Sequence, residues 1–374
     1  MPITNLPTLK SINPATLECI KEYPQHSGQE IEERLLKLGI AQNEWQAINF
    51  SQRKVCMLKL ASDLEQIEQD AAETMANEMG KPWRQGAREI SKCAWLCRWF
   101  ANSAETYLTM DSISTEYQRS YVQFEPLGCI LAIMPWNFPF WQVFRCAVPA
   151  IMAGNGVLLK HAPSTQGCAQ IIEHLFVNAG FPDGLLVHIK VENSRVESLI
   201  AHPSVNMITF TGSTGAGRVV AKQAAEYLKP SVLELGGSDP YLIFDDAELK
   251  NAVEKCAQSR WLNTGQSCIS AKRIIVIDEI YDEFMEQFLA FARQYEFINP
   301  LSRPFDGYFV GPMARLDLRD QLAKQVSDSI DLGASCELGG QIPDAKGAYY
   351  PVTVLSNVNP GMPAFDQELF GPVA

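Results

Sequence analysis

The sequence lacks the marks of several large protein classes. Basic residues are in deficit: 31 Lys and Arg stand against 43 Asp and Glu, a formal net charge of −12 at pH 7. No Lys/Arg block interrupts this balance, which argues against nucleic acid and anionic membrane as partners. No apolar run reaches the ~20 residues of a bilayer-spanning helix. The longest, such as "LGCILAIM", are far shorter. The opening "MPITNLPTLKSINPATLECI" has no basic segment followed by an apolar one, so no secretory leader is expected and a cytoplasmic setting is. The five histidines show no ligand spacing, and none follows His202. The ten cysteines form no C-x-x-C pair and no disulfide framework, which fits reduced thiols. Cys93 and Cys97 lie four apart on an expected helix, but nothing completes a ligand set, so no structural metal is expected. Internal repeats, long linkers and low-complexity tracts are also missing.

What is present points to a sizeable α/β protein. The chain has 374 residues, 47% of them hydrophobic, enough for two α/β lobes. Residues 28–110 carry apolar positions at three- and four-residue spacing, which predicts helices. An aromatic stripe there, Trp95, Trp99 and Phe100, reads as packing surface. Residues 112–126, "SISTEYQRSYVQFEP", alternate in β fashion and predict a two-stranded arm. An arm with so little core of its own needs a neighbour, which suggests oligomerisation; a plain surface hairpin is the alternative. From residue 127 short apolar strands alternate with helices: "LGCILAIM", "GVLLK", "GLLVHIKV", "VNMITFTG" and "SVLELGG". This rhythm predicts a doubly wound parallel sheet, with ligands at the carboxyl ends of its strands. A second α/β stretch follows, with "PYLIFDD" and "RIIVID" as strands.

Four places could carry chemistry. Cys268 lies in "NTGQSCISAKR", among small polar residues rather than the Leu, Ile and Val that surround a packing thiol. Asn137 lies in "MPWNFPF", where prolines stiffen the loop; its carboxamide could donate to an oxyanion, or simply form a turn. Glu234 in "LELGG" could be a general base or a solvated carboxylate at a strand end. "FTGSTGAGR" opens a helix after a strand and could cradle a phosphate, although its G-x-x-G-x-G spacing is not the dinucleotide fingerprint. A nucleophile, an oxyanion donor, a base and a phosphate turn together suit aldehyde oxidation. A thiolate adds to the planar aldehyde, the tetrahedral adduct releases hydride to a nicotinamide, and a base activates water against the thioester.

In this order, "PWNFP", "FTGSTGAG", "LELGG", "GQSC" and "ELFGPV" resemble the motifs of the aldehyde dehydrogenase superfamily, and "INPAT" and "EMGKP" resemble its earlier landmarks. The resemblance covers the whole chain. The finer likeness, carried by "FPFWQVFRCAVPA", "LLKHAPS", "LELGGSDP" and "GPMARLDLRD", is to bacterial succinate-semialdehyde dehydrogenases that accept NAD or NADP. The resemblance implies a Rossmann-type NAD(P)-binding domain over 1–111 and 127–236, an oligomerisation β-arm over 112–126, and an incomplete α/β catalytic domain over 237–374. It implies a homo-oligomer, dimer or tetramer. It implies Cys268 as nucleophile, with the Asn137 amide and the Cys268 N–H as oxyanion hole and Glu234 as base. Lys160 is implied at the adenosine ribose and Gly212 and Ser213 at the pyrophosphate. Trp136 and Leu235 are implied as lining, Glu368 at the nicotinamide ribose and Phe370 near its ring.

The chain departs from that pattern in places. NAD-selective relatives often place an acid three residues after the ribose lysine; here Pro163 stands there, so NADP use is expected. Arg145 falls where related semialdehyde enzymes hold the substrate carboxylate, a role suited to a guanidinium, with a structural ion pair as the alternative. Leu262 and Cys146 replace an arginine and a lysine found in such relatives, and Ser270 replaces a second cysteine, so a neighbouring-thiol switch is not expected. Family members continue well past "FGPV", whereas this sequence ends at Ala374. The expected substrate is an aldehyde that bears a carboxylate, best succinate semialdehyde. A broad-specificity aldehyde dehydrogenase and an inactive truncated fragment remain open. A cysteine hydrolase is disfavoured because no histidine follows Cys268 to serve as its base.

Overall fold

The computed structural model describes residues 7–374; Met1–Leu6, the start of the stretch read as leaderless, lie outside the described residues. A two-stranded sheet of β1 (Thr8–Ile12) and β2 (Cys19–Pro24) comes first, then four helices. These are α1 (Gly28–Gln46), α2 (Phe50–Gln66), α3 (Glu68–Met79) and α4 (Trp83–Tyr107). α1 starts at a capping box: Ser27 Oγ accepts from Glu30 N–H, and the Glu30 carboxylate accepts from Ser27 N–H. Its buried positions, Ile31, Leu35, Leu38, Ala41, Gln42 and Trp45, repeat at helical spacing.

The aromatic stripe of α4 is a correction to the sequence reading. Trp95 and Trp99 are 57% and 40% exposed, while Cys93, Ala94, Cys97, Ala101 and Ala104 are buried. At 100° per residue, positions 95 and 99 fall on the face opposite 93 and 97. The small residues therefore form the packing face, and ring size misled the reading. The arm is a short antiparallel hairpin, β3 (Asp111–Ser112) with β4 (Tyr121–Val122). One further bond, Ile113 N–H to Ser120 O at 2.8 Å, extends it.

The α/β rhythm then runs β5 (Cys129–Met134), α5 (Trp141–Met152), β6 (Gly156–His161), α6 (Gln166–Asn178), β7 (Leu186–His188), α7 (Val196–Ala201), β8 (Met207–Gly212), α8 (Thr214–Glu226) and β9 (Ser231–Leu235). The sheet order is β7-β6-β5-β8-β9, with β5–β6, β6–β7 and β5–β8 parallel. The chain winds outward from β5 to β7, then returns to the other side of β5. That reversal is the switch point at which doubly wound sheets bind ligands. β5 and β6 are buried along their whole length, which is why they read as unbroken apolar runs.

The chain continues with β10 (Pro240–Ile243), α9 (Leu249–Trp261), β11 (Arg273–Val276), α10 (Asp278–Ala292), β12 (Tyr295–Phe297), β13 (Tyr308–Val310), α11 (Leu316–Asp331), β14 (Ser335–Leu338), β15 (Val354–Ser356) and α12 (Pro363–Asp366). β10–β11 and β12–β13 pair parallel, β14–β15 antiparallel. Trp261 and Phe284 each stack on Phe288, with ring centroids 5.2 and 5.4 Å apart, at the centre of one core cluster.

Two compact units result. The first holds the residues up to Ser11, Lys21–Ala71 and Ala87–Glu234; the second holds Ile12–Ile20, Ala72–Gly86 and Leu235–Ala374. The second unit thus recruits two early segments. Among the described residues no helix is long and apolar enough to cross a membrane, and no group of three or more His, Cys, Asp and Glu could hold a metal ion.

Candidate active site

In the first unit the implicated residues gather at the carboxyl ends of the sheet strands. The loop after β5 carries Trp136 and Asn137, the latter 4% exposed. Two buried groups fix this loop. The Glu89 carboxylate accepts from Phe140 N–H at 2.9 Å and Trp141 N–H at 2.8 Å, which satisfies donors at the start of α5. His161 holds the Pro139 carbonyl at 2.9 Å. Its tautomer follows from its partners: Nδ1 accepts from Ala162 N–H at 2.8 Å and from the Thr165 hydroxyl at 2.7 Å, so Nε2 carries the proton and donates to Pro139. Burial pushes His161 down to about 4, which keeps the ring neutral.

Lys160 precedes His161 on β6 and is 3% exposed. Its ammonium donates to the Asn193 side chain, and no carboxylate among the described residues pairs with it. Burial pushes it down to about 8. Gly212 ends β8, and Ser213 caps α8 by accepting from Ala216 N–H. Glu234 on the edge strand β9 meets Arg145 of α5, Nη2 to Oε2, at 2.8 Å. The two share a cleft of about 530 Å³ with Gln142, Cys146 and Thr209. Two candidates read separately in the sequence are therefore in direct contact here, in the ion pair that was the alternative for Arg145.

In the second unit Cys268 follows a tight turn. Asn263, Thr264 and Gly265 all take left-handed φ, at 54°, 56° and 71°. Two such non-glycine residues in a row are strained, by about 1–3 kcal/mol each, and need restraint. The restraints come from within the turn and from distant parts of the chain. Asn263 N–H donates to Gln85 Oε1 at 2.7 Å, Gln266 Nε2 donates to Asn263 O at 3.1 Å, and Gln266 Oε1 accepts from Ala314 N–H at 2.9 Å. Gly265 has a second duty, because a Cβ there would collide with the Gly371 carbonyl.

That contact ties the cysteine turn to the segment bearing Glu368 and Phe370, and Arg260 reinforces it. Its fully buried guanidinium donates to Gly265 O, Ser270 Oγ, Leu369 O, Gly371 O and Val373 O. Glu368 pairs with Lys272 at 3.0 Å, and Lys272 also donates to the Cys268 carbonyl at 2.6 Å. A Cβ on Gly236, one residue past Leu235, would collide with the Glu368 carboxylate. The first glycine of "LELGG" thus makes room for an acid far along the chain.

The cysteines divide by environment. Burial pushes the thiols of Cys129 and Cys256 up to about 12 and 11, and raises Cys97 further. Such thiols stay protonated and inert. Cys268 is half-buried, not enclosed. Sequence reasoning missed Glu89, His161, Arg260 and Lys272. A histidine directly after the expected ribose lysine was a visible signal; the other three had none, since each owes its place to at least one partner far off in the chain.

The profile of the Aldehyde dehydrogenase family matches residues 3–374. The chain is 42% identical, over its whole length and 80% of the relative's, to the succinate semialdehyde dehydrogenase [NAD(P)+] Sad of Escherichia coli K12. It is 41% identical to a probable succinate-semialdehyde dehydrogenase [NADP(+)] of Synechocystis, over 98% of this chain and 80% of that one. The crystal structure of the Streptococcus pyogenes succinic semialdehyde dehydrogenase in complex with NADP+ superposes with a TM-score of 0.94 at 29% identity, over 98% of this chain and 80% of that one.

Proposed function

This chain belongs to the aldehyde dehydrogenase family, and on that premise we propose that it oxidises succinate semialdehyde to succinate with NAD or NADP. The observation that carries the choice of substrate is Arg145: a guanidinium on the wall of an open cleft, able to grip a carboxylate with two hydrogen bonds. The named relatives, which act on succinate semialdehyde with NADP or either cofactor, agree with it.

The residues present fit a dinucleotide. Lys160 is a buried ammonium with no carboxylate partner among the described residues, suited to ribose hydroxyls or a phosphate. Gly212 and Ser213 open a helix whose N-terminus favours pyrophosphate. Glu368 offers an acceptor for ribose hydroxyls, and this reading gives Trp136, Leu235 and Phe370 to the lining. Pro163 puts no acid against a 2′-phosphate. When bound, the nicotinamide supplies the acceptor for the hydride.

The Cys268 thiolate attacks the aldehyde carbon. The new oxyanion takes hydrogen bonds from the Asn137 amide and the Cys268 N–H. Glu89 and His161 keep the Asn137 loop from moving as that charge develops. Loss of hydride from the tetrahedral adduct leaves a thioester. Glu234 takes a proton from water, which adds to the thioester and expels the thiolate with succinate as product. The reading includes a cytoplasmic homo-oligomer joined through the hairpin, whose Ile113, Tyr117, Tyr121 and Val122 are exposed.

A second reading, a broad-specificity aldehyde dehydrogenase, is favoured by one observation: Arg145 already has a carboxylate partner in Glu234. The first test is turnover of succinate semialdehyde and butanal with NAD and NADP, followed by nicotinamide absorbance. Cys268→Ser is expected to lose about 1000-fold or more in kcat while still binding NADPH. Retained turnover in that variant overturns the mechanism.

A further inference from the structure

We propose that Lys272 is a positioning residue that sets the Glu368 carboxylate and the Cys268 turn in one register. The inference rests on the reading of Glu368 as the carboxylate that binds the nicotinamide ribose, and it adds the device that aims it.

The geometry divides the work between two cations. Arg260 bonds to backbone carbonyls of Leu369, Gly371 and Val373 on one side, and to Gly265 O and Ser270 Oγ on the other. It fixes where the two segments run but makes no bond to the Glu368 carboxylate. Lys272 forms an ion pair with it, Nζ 3.0 Å from Oε1, and its hydrogen bond, 2.6 Å to the Cys268 carbonyl, is made to the nucleophile's own peptide unit. The lysine side chain is 2% exposed and that of Glu368 23% exposed, so water competes little for either bond. Lys272 is itself anchored, one residue before β11, by its N–H to Ser270 O at 2.8 Å.

Burying such a pair is not a stability device, since desolvation offsets most of the attraction. Its use is orientation. A glutamate free to rotate must be ordered when a ribose binds, and that ordering weakens binding. Here one oxygen is committed to Lys272, and the other lies over Gly236, where only glycine leaves space. The carboxylate reaches its ligand already aimed. The same ammonium links that aim to the peptide of the nucleophile.

A double-mutant cycle tests this on the full chain, with Lys272→Met, Glu368→Gln and the pair together. NADPH affinity is read by nicotinamide fluorescence, and Cys268 accessibility by the rate of iodoacetamide alkylation. Glu368→Gln should weaken NADPH about 10-fold, and Lys272→Met about 5- to 10-fold. The double variant should bind within about 2-fold of Glu368→Gln, because Lys272 acts through the carboxylate. Lys272→Met should also shift the alkylation rate about 3-fold or more, and Glu368→Gln should shift it less. Losses that multiply in the double variant overturn the proposal, as does Lys272→Met with unchanged affinity beside a weakened Glu368→Gln. Unchanged affinity in Glu368→Gln itself overturns the ribose reading first, and the proposal with it. Should Lys272→Met not fold, Lys272→Arg takes its place in the cycle, since it keeps the charge but moves it; NADPH affinity unchanged in Lys272→Arg beside a weakened Glu368→Gln then overturns the proposal.

Discussion

Replacing Arg145 with Gln removes the one guanidinium that lines the cleft of about 530 Å³ while leaving a side chain of similar reach. The magnitude follows from exposure. A hydrogen bond to a charged group contributes about 1.5–3 kcal/mol when shielded. The Arg145 side chain is 35% exposed and that of Glu234 is 51% exposed, so the low end applies. Binding the substrate carboxylate also displaces Glu234 from its 2.8 Å contact, which offsets part of the gain. Two such bonds less that offset leave a net loss of about 1.5 kcal/mol, a fall of roughly tenfold in kcat/KM for succinate semialdehyde, mainly through KM. Butanal has no carboxylate and should change by less than about 3-fold. Its turnover should not fall, because the variant frees Glu234 to act on water. The assay is initial rate by nicotinamide absorbance over a range of each aldehyde. Equal losses for the two aldehydes would show that Arg145 works through Glu234 or the fold. No loss for either would remove Arg145 from the site.

Two further outcomes follow from the same structure. Burial holds His26 and His161 at about 4 against an ordinary 6.5. The unfolded chain takes up these protons near 6.5 and the folded chain only near 4, so the stabilisation is complete above the higher value and is lost as pH falls toward the lower one. Urea unfolding at pH 7, 6 and 5 should show stability dropping by up to about 1.4 kcal/mol per pH unit for each histidine. His161→Gln should flatten that slope, and an unaltered slope contradicts the assignment. Pro163→Glu should raise KM for NADP about 10-fold or more by repulsion of its 2′-phosphate, with little effect on NAD. Equal effects on both cofactors would place residue 163 away from the ribose.

Much of the architecture is written in short-range patterns. The unbroken apolar runs of β5 and β6 follow from burial on both faces, and the Ser27–Glu30 capping box marks the start of α1. Residue chemistry likewise singles out Cys268, because a thiol among Gly, Gln and Ser lacks the surroundings that hold Cys129 and Cys256 inert. Aromatic content misled at Trp95 and Trp99, where helical phase overrides ring size.

The sequence alone determined which elements form and which functional groups are available, because backbone propensity, burial period and residue chemistry act over a few neighbouring positions. Only the tertiary structure decided which of those groups meet. It placed Arg145 against Glu234, His161 beneath the Asn137 loop, and Lys272 between Cys268 and Glu368. The first contact joins a helix to a strand and the last reaches from the cysteine turn to Glu368 far along the chain, and all depend on Nζ, guanidinium or ring atoms arriving within about 3 Å of a partner, the range in which a hydrogen bond has strength. That precision comes from packing and strand register summed over a whole unit, and no local window of sequence contains it.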